Sequence, residues 1–405
     1  MRIVFLLSIS LDSPSALGRW FPWAREMACR GHDVHVLALH HDLRPEVPRR
    51  FEREGVQVHY VGQMHTHKVG DTTHYFGPLR LLWVAAAGAW GLARQAAALR
   101  ADVYHVCKPH PQNSLAGWLA ARVWNKRPLF LDCDDLEARI NRFSGGWQRR
   151  ALAWLERRMP HRVDGVTVHT RFLERRVRES GVPPARILRV PTAIDASRLG
   201  KVSAADAARW HERLQIGERR VVAYVGTMAL VSHAVDLLLT AFAHLARRRE
   251  DVVLLLAGGG PDLEALKALA AQLGIAGRCR FTGRVPPAEI PSLLSLACAS
   301  VDPVHDDEVA RARWPVKIME SMALGVPVVT GDVGDRREML GQGTAGVLVA
   351  PGDPAALADG LEEVLGDPLR CERLVAGCKA QAKGYALEDM VSLLLDFYES
   401  SGEGA

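Results

Sequence analysis

The chain has 405 residues, more than one hydrophobic core accommodates, so two domains of α/β size are expected. A composition of 48% hydrophobic and 24% charged residues is that of an ordinary soluble globular protein. Its 51 basic and 46 acidic residues leave a net charge of only +5, which excludes the strongly basic balance that would point to nucleic acid as a partner.

The first ten residues, MRIVFLLSIS, begin like a secretory signal but lack a long apolar core and a small-residue cleavage site. They run into a polar loop at residues 12–15 and read as a first buried strand over residues 3–7. A helix over 20–30, closed by Gly31, leads to strands at 34–39 and 56–60. The uncharged run 81–93, between Arg80 and Arg94, is too short to span a bilayer and predicts a buried or interfacial helix. Strands at 103–106, 129–131, 165–168 and 187–190 complete the first half. Seven cysteines, scattered without a C-x-x-C pair, predict reduced core thiols in the cytosol rather than a disulfide frame.

Three segments of this half carry candidate chemistry. His105, Lys108 and His110 follow the strand 103–106, where a histidine can act as an acid or hydrogen-bond donor, although such a residue is more often merely a polar strand end. Asp132-Cys133-Asp134-Asp135, with Glu137 close behind, follows the strand 129–131. It reads as a site for ligand hydroxyls or as an acidic cap for the next helix. The segment 147–162 places Trp147, Ala151, Leu155 and Met159 on one stripe among arginines. That is the pattern of a helix lying on an anionic membrane, or of a core-packed helix with solvated arginines.

After a charged helical stretch at 203–214 the pattern restarts, with strands at 221–225, 252–257, 279–282, 300–302, 326–330 and 345–349. Strands alternating with helices twice over predict an α/β chain of two doubly wound, Rossmann-like domains with a cleft at their strand C-termini. The expected boundaries are 1–195 and 196–385, with a hinge near 192–200 and a last helix, 387–400 within the segment 386–405, returning to the first domain. Gly226-Thr227 ends the first strand of the second domain, where a glycine lets backbone approach phosphate. Gly258, Gly259 and Gly260 follow the next strand and are also readable as a plain turn; Gly283-Arg284-Val285 follow a third, where Arg284 reads as a stacking residue or as a solvated arginine. In PVKIMESMALGVPVV, residues 315–329, the apolar spacing predicts a helix running into Gly325 and a β-branched strand. Lys317 and Glu320 then share a face near the helix start, as phosphate and ribose ligands or as an ordinary ion pair.

Seven segments in order resemble the glycosyltransferase family 4 group, retaining enzymes of the GT-B architecture: RGHDVHVLAL (30–39), VPTAID (190–195), VGTM with HAVDLLLTAF (225–242), LLLAGGGP (254–261), FTGRVP (281–286), the 315–329 stretch and GVLVAPGDPAALADGL (346–361). The resemblance implies transfer of a sugar from a nucleoside-diphosphate donor, with retention and without a metal or other cofactor. It implies Glu320 on the ribose, Lys317 on the diphosphate, Gly226-Thr227 on phosphate, and Arg284-Val285 around the base. Where the family has an E-x7-E pair, its first position is Ala312. The diphosphate-binding Arg and Lys become Thr227 and His233, which turns attention to Lys317, Arg311 and Arg313. The family's His-Asp aligns with Asp134-Asp135, its Gly-Gly loop is reduced to Gly18, and its hinge Asn-Gly becomes Thr192-Ala193. The D-x-D spelling at 132–134 matches the metal motif of the other glycosyltransferase fold, but the doubled Rossmann pattern puts the donor elsewhere.

The expected protein is therefore a glycosyltransferase of the cytosol or inner membrane face. His105, Asp134 and Lys317 are its candidate catalytic residues. Gly226, Thr227, His233, Gly258, Arg284, Val285, Arg313, Lys317 and Glu320 form the donor side, and Gly18, Lys108, His110 and Asp135 the acceptor side. The acceptor would be a glycan, a lipid-linked sugar or a small molecule, and an anionic membrane surface a further partner. The alternatives are a silent nucleotide-sugar-binding scaffold, motivated by Ala312, Thr227 and His233, and a sugar-nucleotide epimerase.

Overall fold

The computed structural model describes residues 1–402 apart from 14, 70, 71, 142, 144, 201, 231 and 232, so the last three residues of the expected returning segment lie outside it. The chain divides into two compact units, Met1–Thr192 with Leu387–Ala405, and Ala193–Ala386.

In the first unit the strands are β1 (Arg2–Leu7), β2 (Asp33–His40), β3 (Arg50–Arg53), β4 (Val56–Gln63), β5 (Thr66–Val69), β6 (Thr72–Tyr75), β7 (Val103–Cys107), β8 (Leu129–Cys133), β9 (Gly165–Val168) and β10 (Ile187–Arg189). Eight of them form one sheet in the order β10-β9-β8-β7-β1-β2-β4-β3, parallel except where β3 lies antiparallel to β4. Ile3 to Leu7 are all fully buried, as a central parallel strand covered on both faces requires. The β5–β6 hairpin and the edge strand β3 are absent from the sequence reading. β3 reads RFER, with no apolar run, and its pairing comes from β4 rather than from its own composition.

The 81–93 run is the middle of a 22-residue helix, Pro78–Leu99. Val84, Leu92, Ala93 and Ala96 are buried, and a Cβ at Gly91 would fall 2.7 Å from the Val61 carbonyl oxygen, so small residues set a close helix–sheet contact. Among the described residues no helix is long and apolar enough to cross a membrane. The basic segment forms a helix, Gly146–Arg158, continued by a 3₁₀ turn, Met159–Arg162. The expected stripe is corrected: Leu152 and Met159 are buried, whereas Trp147 and Ala151 are exposed. The arginines exclude most of this helix from the core, and only a narrow seam packs.

The terminal helix, Leu387–Gly402, packs on the first unit. Arg30 donates to Ser392 Oγ at 2.8 Å and to the Glu388 carbonyl at 2.6 Å. Phe397 and Tyr398 stand with ring centroids 5.4 and 4.6 Å from that of Phe130. β9 opens with Gly165, where a Cβ would lie 2.6 Å from the Phe397 ring.

The second unit has β11 (Arg220–Val225), β12 (Val252–Ala257), β13 (Cys279–Gly283), β14 (Ala297–Asp302), β15 (Val328–Gly331) and β16 (Gly346–Val349). They form one all-parallel sheet in the order β13-β12-β11-β14-β15-β16. β15 begins two residues later than its apolar run, because Val326 donates its N–H to Ser321 O in closing the preceding helix and Pro327 has no N–H to give. In both units the strand order reverses beside the first strand, at β1–β7 and at β11–β14. Ligands of open α/β sheets bind at the carboxyl ends of such positions.

Candidate functional site

In the second unit the switch point gathers most of the expected donor residues. β11 ends at Val225 and passes into Gly226 and the exposed Thr227; β14 ends at the buried Asp302. The helix Val316–Ala323 presents Lys317 from its first turn. Lys317 Nζ lies 3.2 Å from Asp302 Oδ1 and 4.4 Å from the Tyr224 ring centroid. Tyr224 donates its hydroxyl to the Thr227 carbonyl at 3.0 Å, and a Cβ at Gly226 would fall 2.9 Å from that hydroxyl and 3.4 Å from Lys317 Nζ. The ammonium therefore sits against a bare stretch of backbone, the arrangement phosphate needs.

Asp302 also accepts from Arg336 Nε at 2.9 Å, and these two cations hold its carboxyl down at about 2 against the cost of burial. His233 is pushed down to about 3, first by desolvation and then by Lys317 and Arg313, which places all three side chains in one electrostatic neighbourhood. The imidazole is neutral there near pH 7. Arg311 is corrected as a donor candidate: it is turned to Asp306, with hydrogen bonds of 2.7 and 2.9 Å. Ala312 is fully buried, and Glu320 is half-buried one turn after Lys317.

The glycines at 258–260 do more than turn the chain. Gly258 has φ of +142°, and a Cβ there would fall 1.9 Å from the Gly226 carbonyl oxygen; at Gly260 it would fall 2.2 Å from the Met228 carbonyl oxygen. Gly226 N–H donates to Ala257 O, Met228 N–H to Gly259 O, and Asp262 N–H to Met228 O. The two loops are thus zipped together, and the second fixes the shape of the first. Gly258 N–H donates to Gly283 O at 2.9 Å, joining the third loop, where Arg284 is exposed beside Gly259. Val285 packs its side chain on the core around Trp210 and Leu293, so it offers a ligand its backbone rather than its side chain. Tyr224, Asp302 and Arg336 were not singled out from the sequence. Their only signal is position, at or near the ends of two central strands and in a short helix after the third.

The first unit differs from expectation. His105 is fully buried, not turned to a loop: its Nδ1 is 2.5 Å from Tyr398 Oη, and its ring stacks on Phe5 and Phe130. It alternates inward on β7 and meets the terminal helix, and burial pushes its pKa to about 4. Asp132 is a structural carboxylate that accepts from Arg19 at 2.7 and 2.8 Å, from Trp20 Nε1 at 2.7 Å and from Thr167. Gly18 lies inside the π-helical turn Ala16–Trp20 that delivers Arg19 and Trp20 to it, so no open glycine loop forms.

Lys108, His110, Asp134, Asp135 and Glu137 do come together. Lys108 holds φ of +78°, uncommon for a residue with a Cβ, and Asn113 Nδ2 donates to the neighbouring Cys107 carbonyl at 2.6 Å. Lys108 Nζ lies 3.1 Å from Asp134, 3.4 Å from Asp135 and within hydrogen-bond reach of Glu137. His110 bridges Glu137 at 2.9 Å and Ser8 Oγ at 2.7 Å. One ammonium cannot neutralise three carboxylates, two of them buried, and burial pushes Asp134 up to about 8. Carboxylate oxygens of Asp134, Asp135 and Glu137 lie within 4.8 Å of one another, a spacing a cation can use, but the Lys108 ammonium already meets all three. A small pocket lined by Cys133, Asp135, Glu156, Arg176 and Ser180 adjoins this cluster, and burial raises Glu156 to about 7.

Two family profiles match the two halves of the chain: "Glycosyl transferase 4-like domain" over residues 20–193 and "Glycosyl transferases group 1" over residues 206–381. The D-inositol 3-phosphate glycosyltransferase of Geodermatophilus obscurus is 30% identical over 406 residues, covering 94% of this chain and 83% of its own. The chain belongs to the group 1 glycosyl transferases.

A GDP-mannose-dependent alpha-(1-6)-phosphatidylinositol monomannoside mannosyltransferase of Mycolicibacterium smegmatis is 31% identical over 236 residues, 57% of this chain and 61% of that one. The match thus spans less than two thirds of that relative's length. Among solved structures, the sucrose-phosphate synthase of Thermosynechococcus elongatus superimposes with a TM-score of 0.79 at 18% identity over 100% of both chains. The Anabaena protein HepE, in complex with UDP and glucose, gives 0.73 at 18% identity over 99% of this chain and 100% of its own. At these identities the likeness is one of fold, and the fold is GT-B.

Proposed function

We propose that this chain is a retaining glycosyltransferase that takes a sugar from a nucleoside-diphosphate donor held by the second unit. The observation that carries the reading is Lys317, set by Asp302 and Tyr224 against the Gly226-Thr227 backbone. A pyrophosphate laid there gains a fixed ammonium, a stretch of backbone open to close approach at Gly226 and the neighbouring Arg313, with Glu320 one turn on for the ribose hydroxyls. That provision of charge supports transfer without a metal ion.

In the transfer step the bond from the anomeric carbon to the diphosphate oxygen breaks, and the acceptor hydroxyl oxygen bonds to the same face. The acceptor proton passes to the departing diphosphate. Lys317 stabilises the charge developing on that leaving group, which is worth most where water is excluded. On the first unit, Asp134, Asp135 and His110 are the acceptor-side groups of the reading, and His105 has no part in it. The phosphatidylinositol mannoside acceptor in the name of the Mycolicibacterium relative supports a lipid-linked or polyol acceptor.

The test is release of nucleoside diphosphate from a panel of UDP- and GDP-sugars, with and without acceptor, in the presence and absence of a chelator. Acceptor-dependent release that survives chelation is expected. Turnover that vanishes with chelator and returns with manganese would overturn the metal-free step. Tight donor binding without release would favour the scaffold reading, for which the buried Ala312 is the motive.

A further inference from the structure

The helix Pro78–Leu99 is apolar on its outward side as well as its inward one. Leu79, Leu82, Trp83 and Trp90 are 85%, 62%, 70% and 59% exposed, and Ala86 and Ala87 between them are exposed too. At helical spacing these residues form one stripe, with no charge between Arg80 and Arg94. The stripe does not stop at the helix edge. The helix Pro111–Trp118 and its continuation Leu119–Asn125 pack alongside, and Trp124 meets Trp90 edge to face at 6.1 Å between centroids. Trp118 and Trp124 are themselves exposed. Isolated exposed apolar residues are ordinary on a protein surface; a two-helix face this rich in Trp and Leu is not.

Charge identifies what covers it. Across residues 72–131 the single acidic residue is Asp102, set against seven Lys and Arg, and Asp102 accepts from the Arg2 N–H at 2.8 Å. Arg80 and Arg94 bracket the stripe along the helix, and Lys126 and Arg127 stand exposed just past Trp124. A second copy docking through the same face would bring these like charges together, whereas an anionic surface would meet them. Tryptophan and leucine on one face with arginine and lysine at its margins is the chemistry of a helix lying in the headgroup region.

We infer that the outward face of the Pro78–Leu99 and Pro111–Asn125 helices docks this protein on an anionic lipid bilayer. The apolar stripe enters the headgroup boundary, and Arg80, Arg94, Lys126 and Arg127 lie at the level of the phosphates. The basic helix Gly146–Arg158, whose sequence pattern first raised a membrane role, is not the docking element.

Co-sedimentation with vesicles of phosphatidylcholine alone, or mixed with phosphatidylglycerol, tests this on the full chain. Wild type binds the mixed vesicles and is released by salt. Trp83→Ser/Trp90→Ser, both exposed positions, weakens binding by about tenfold or more with an unchanged circular dichroism spectrum. Arg80→Glu/Arg94→Glu weakens it similarly and removes the salt dependence. Trp147→Ser/Trp154→Ser and Glu320→Ala leave it unchanged, the latter separating lipid docking from the donor reading. Absence of binding to mixed vesicles, or loss confined to the Trp147/Trp154 variant, would overturn the proposal. So would sedimentation equilibrium showing a dimer that Trp83→Ser/Trp90→Ser dissociates.

Discussion

Replacing Lys317 with methionine keeps the length and apolar stem of the side chain and deletes its charge. At 3.2 Å the Lys317–Asp302 attraction is roughly 5 kcal/mol in an effective dielectric near 20, most of it offset by desolvation. Asp302 keeps Arg336 at 2.9 Å, and Lys317 remains partly exposed, so the folding cost should be about 1 to 2 kcal/mol. The ligand loses more. A charge-assisted hydrogen bond to a phosphate contributes about 1.5 to 3 kcal/mol, so the Kd for nucleoside diphosphate should rise about 10- to 150-fold. Titration calorimetry measures that, and a thermal melt measures the folding cost separately. A second consequence is internal to the site. Lys317 helps hold His233 at about 3, so the variant should raise the His233 pKa, still below the usual value because desolvation remains. Histidine ring NMR shifts against pH report it. A Kd within twofold of wild type together with an unmoved His233 would refute the site's electrostatics.

Gly258→Ala puts a methyl group 1.9 Å from the Gly226 oxygen at φ of +142°, and should cost about 2 kcal/mol or more by thermal melt while weakening diphosphate binding. Asp302→Asn leaves Arg336 buried without its counter-charge, at a cost of about 3 to 5 kcal/mol. Because the folded Asp302 carboxyl titrates near 2, below its unfolded value of 3.8, its contribution is present above pH 3.8 and is lost as pH falls through 2. Denaturant midpoints between pH 5 and 2 should therefore fall less steeply in the variant. Glu156 has the opposite sign: its pKa of about 7 lies above the unfolded 4.5, so its contribution is present below pH 4.5 and is lost as pH rises through 7. Glu156→Gln should match wild type at pH 4 and exceed it at pH 8 in denaturant midpoint.

The architecture was legible because central parallel strands buried on both faces are written as aliphatic runs, and thirteen of the sixteen strands among the described residues show in the sequence. The three missed strands, β3, β5 and β6, draw their pairing from neighbours and carry little apolar signal of their own. The placement of Lys317 and Glu320 one turn apart on a helix was legible from periodicity, and that of Gly226 from its place after a strand. His105 shows the limit. One residue in two on a strand points to each face, but sequence alone does not say which face the terminal helix covers. The stripe on the basic helix failed for a related reason: a helix with apolar residues on several sides offers more than one seam, and Leu152 rather than Trp147 found the core.

The two switch points carry opposite electrostatic designs, and this difference argues for which unit takes the diphosphate. Around Asp302 the protein has placed Lys317 and Arg336 in direct contact, with Arg313 near enough to depress His233; even with Glu320 counted, basic charge prevails. At the end of β8 the balance inverts. Lys108 is shared by Asp134, Asp135 and Glu137, and it takes protonation of Asp134 to approach neutrality. A pyrophosphate brought to that cluster would meet acidic groups whose one ammonium is already engaged, whereas a neutral polyol would find acceptors and a protonated carboxyl. On the proposed reading, this contrast in charge favours the anionic substrate on the second unit and the hydroxyl-bearing one on the first. Lys108→Met tests the assignment without reference to turnover. It should destabilise the chain through its uncompensated buried carboxylates while leaving the nucleoside-diphosphate Kd, measured on the folded fraction, within about twofold. A Kd that rose as far as in Lys317→Met would place the diphosphate in the first unit instead.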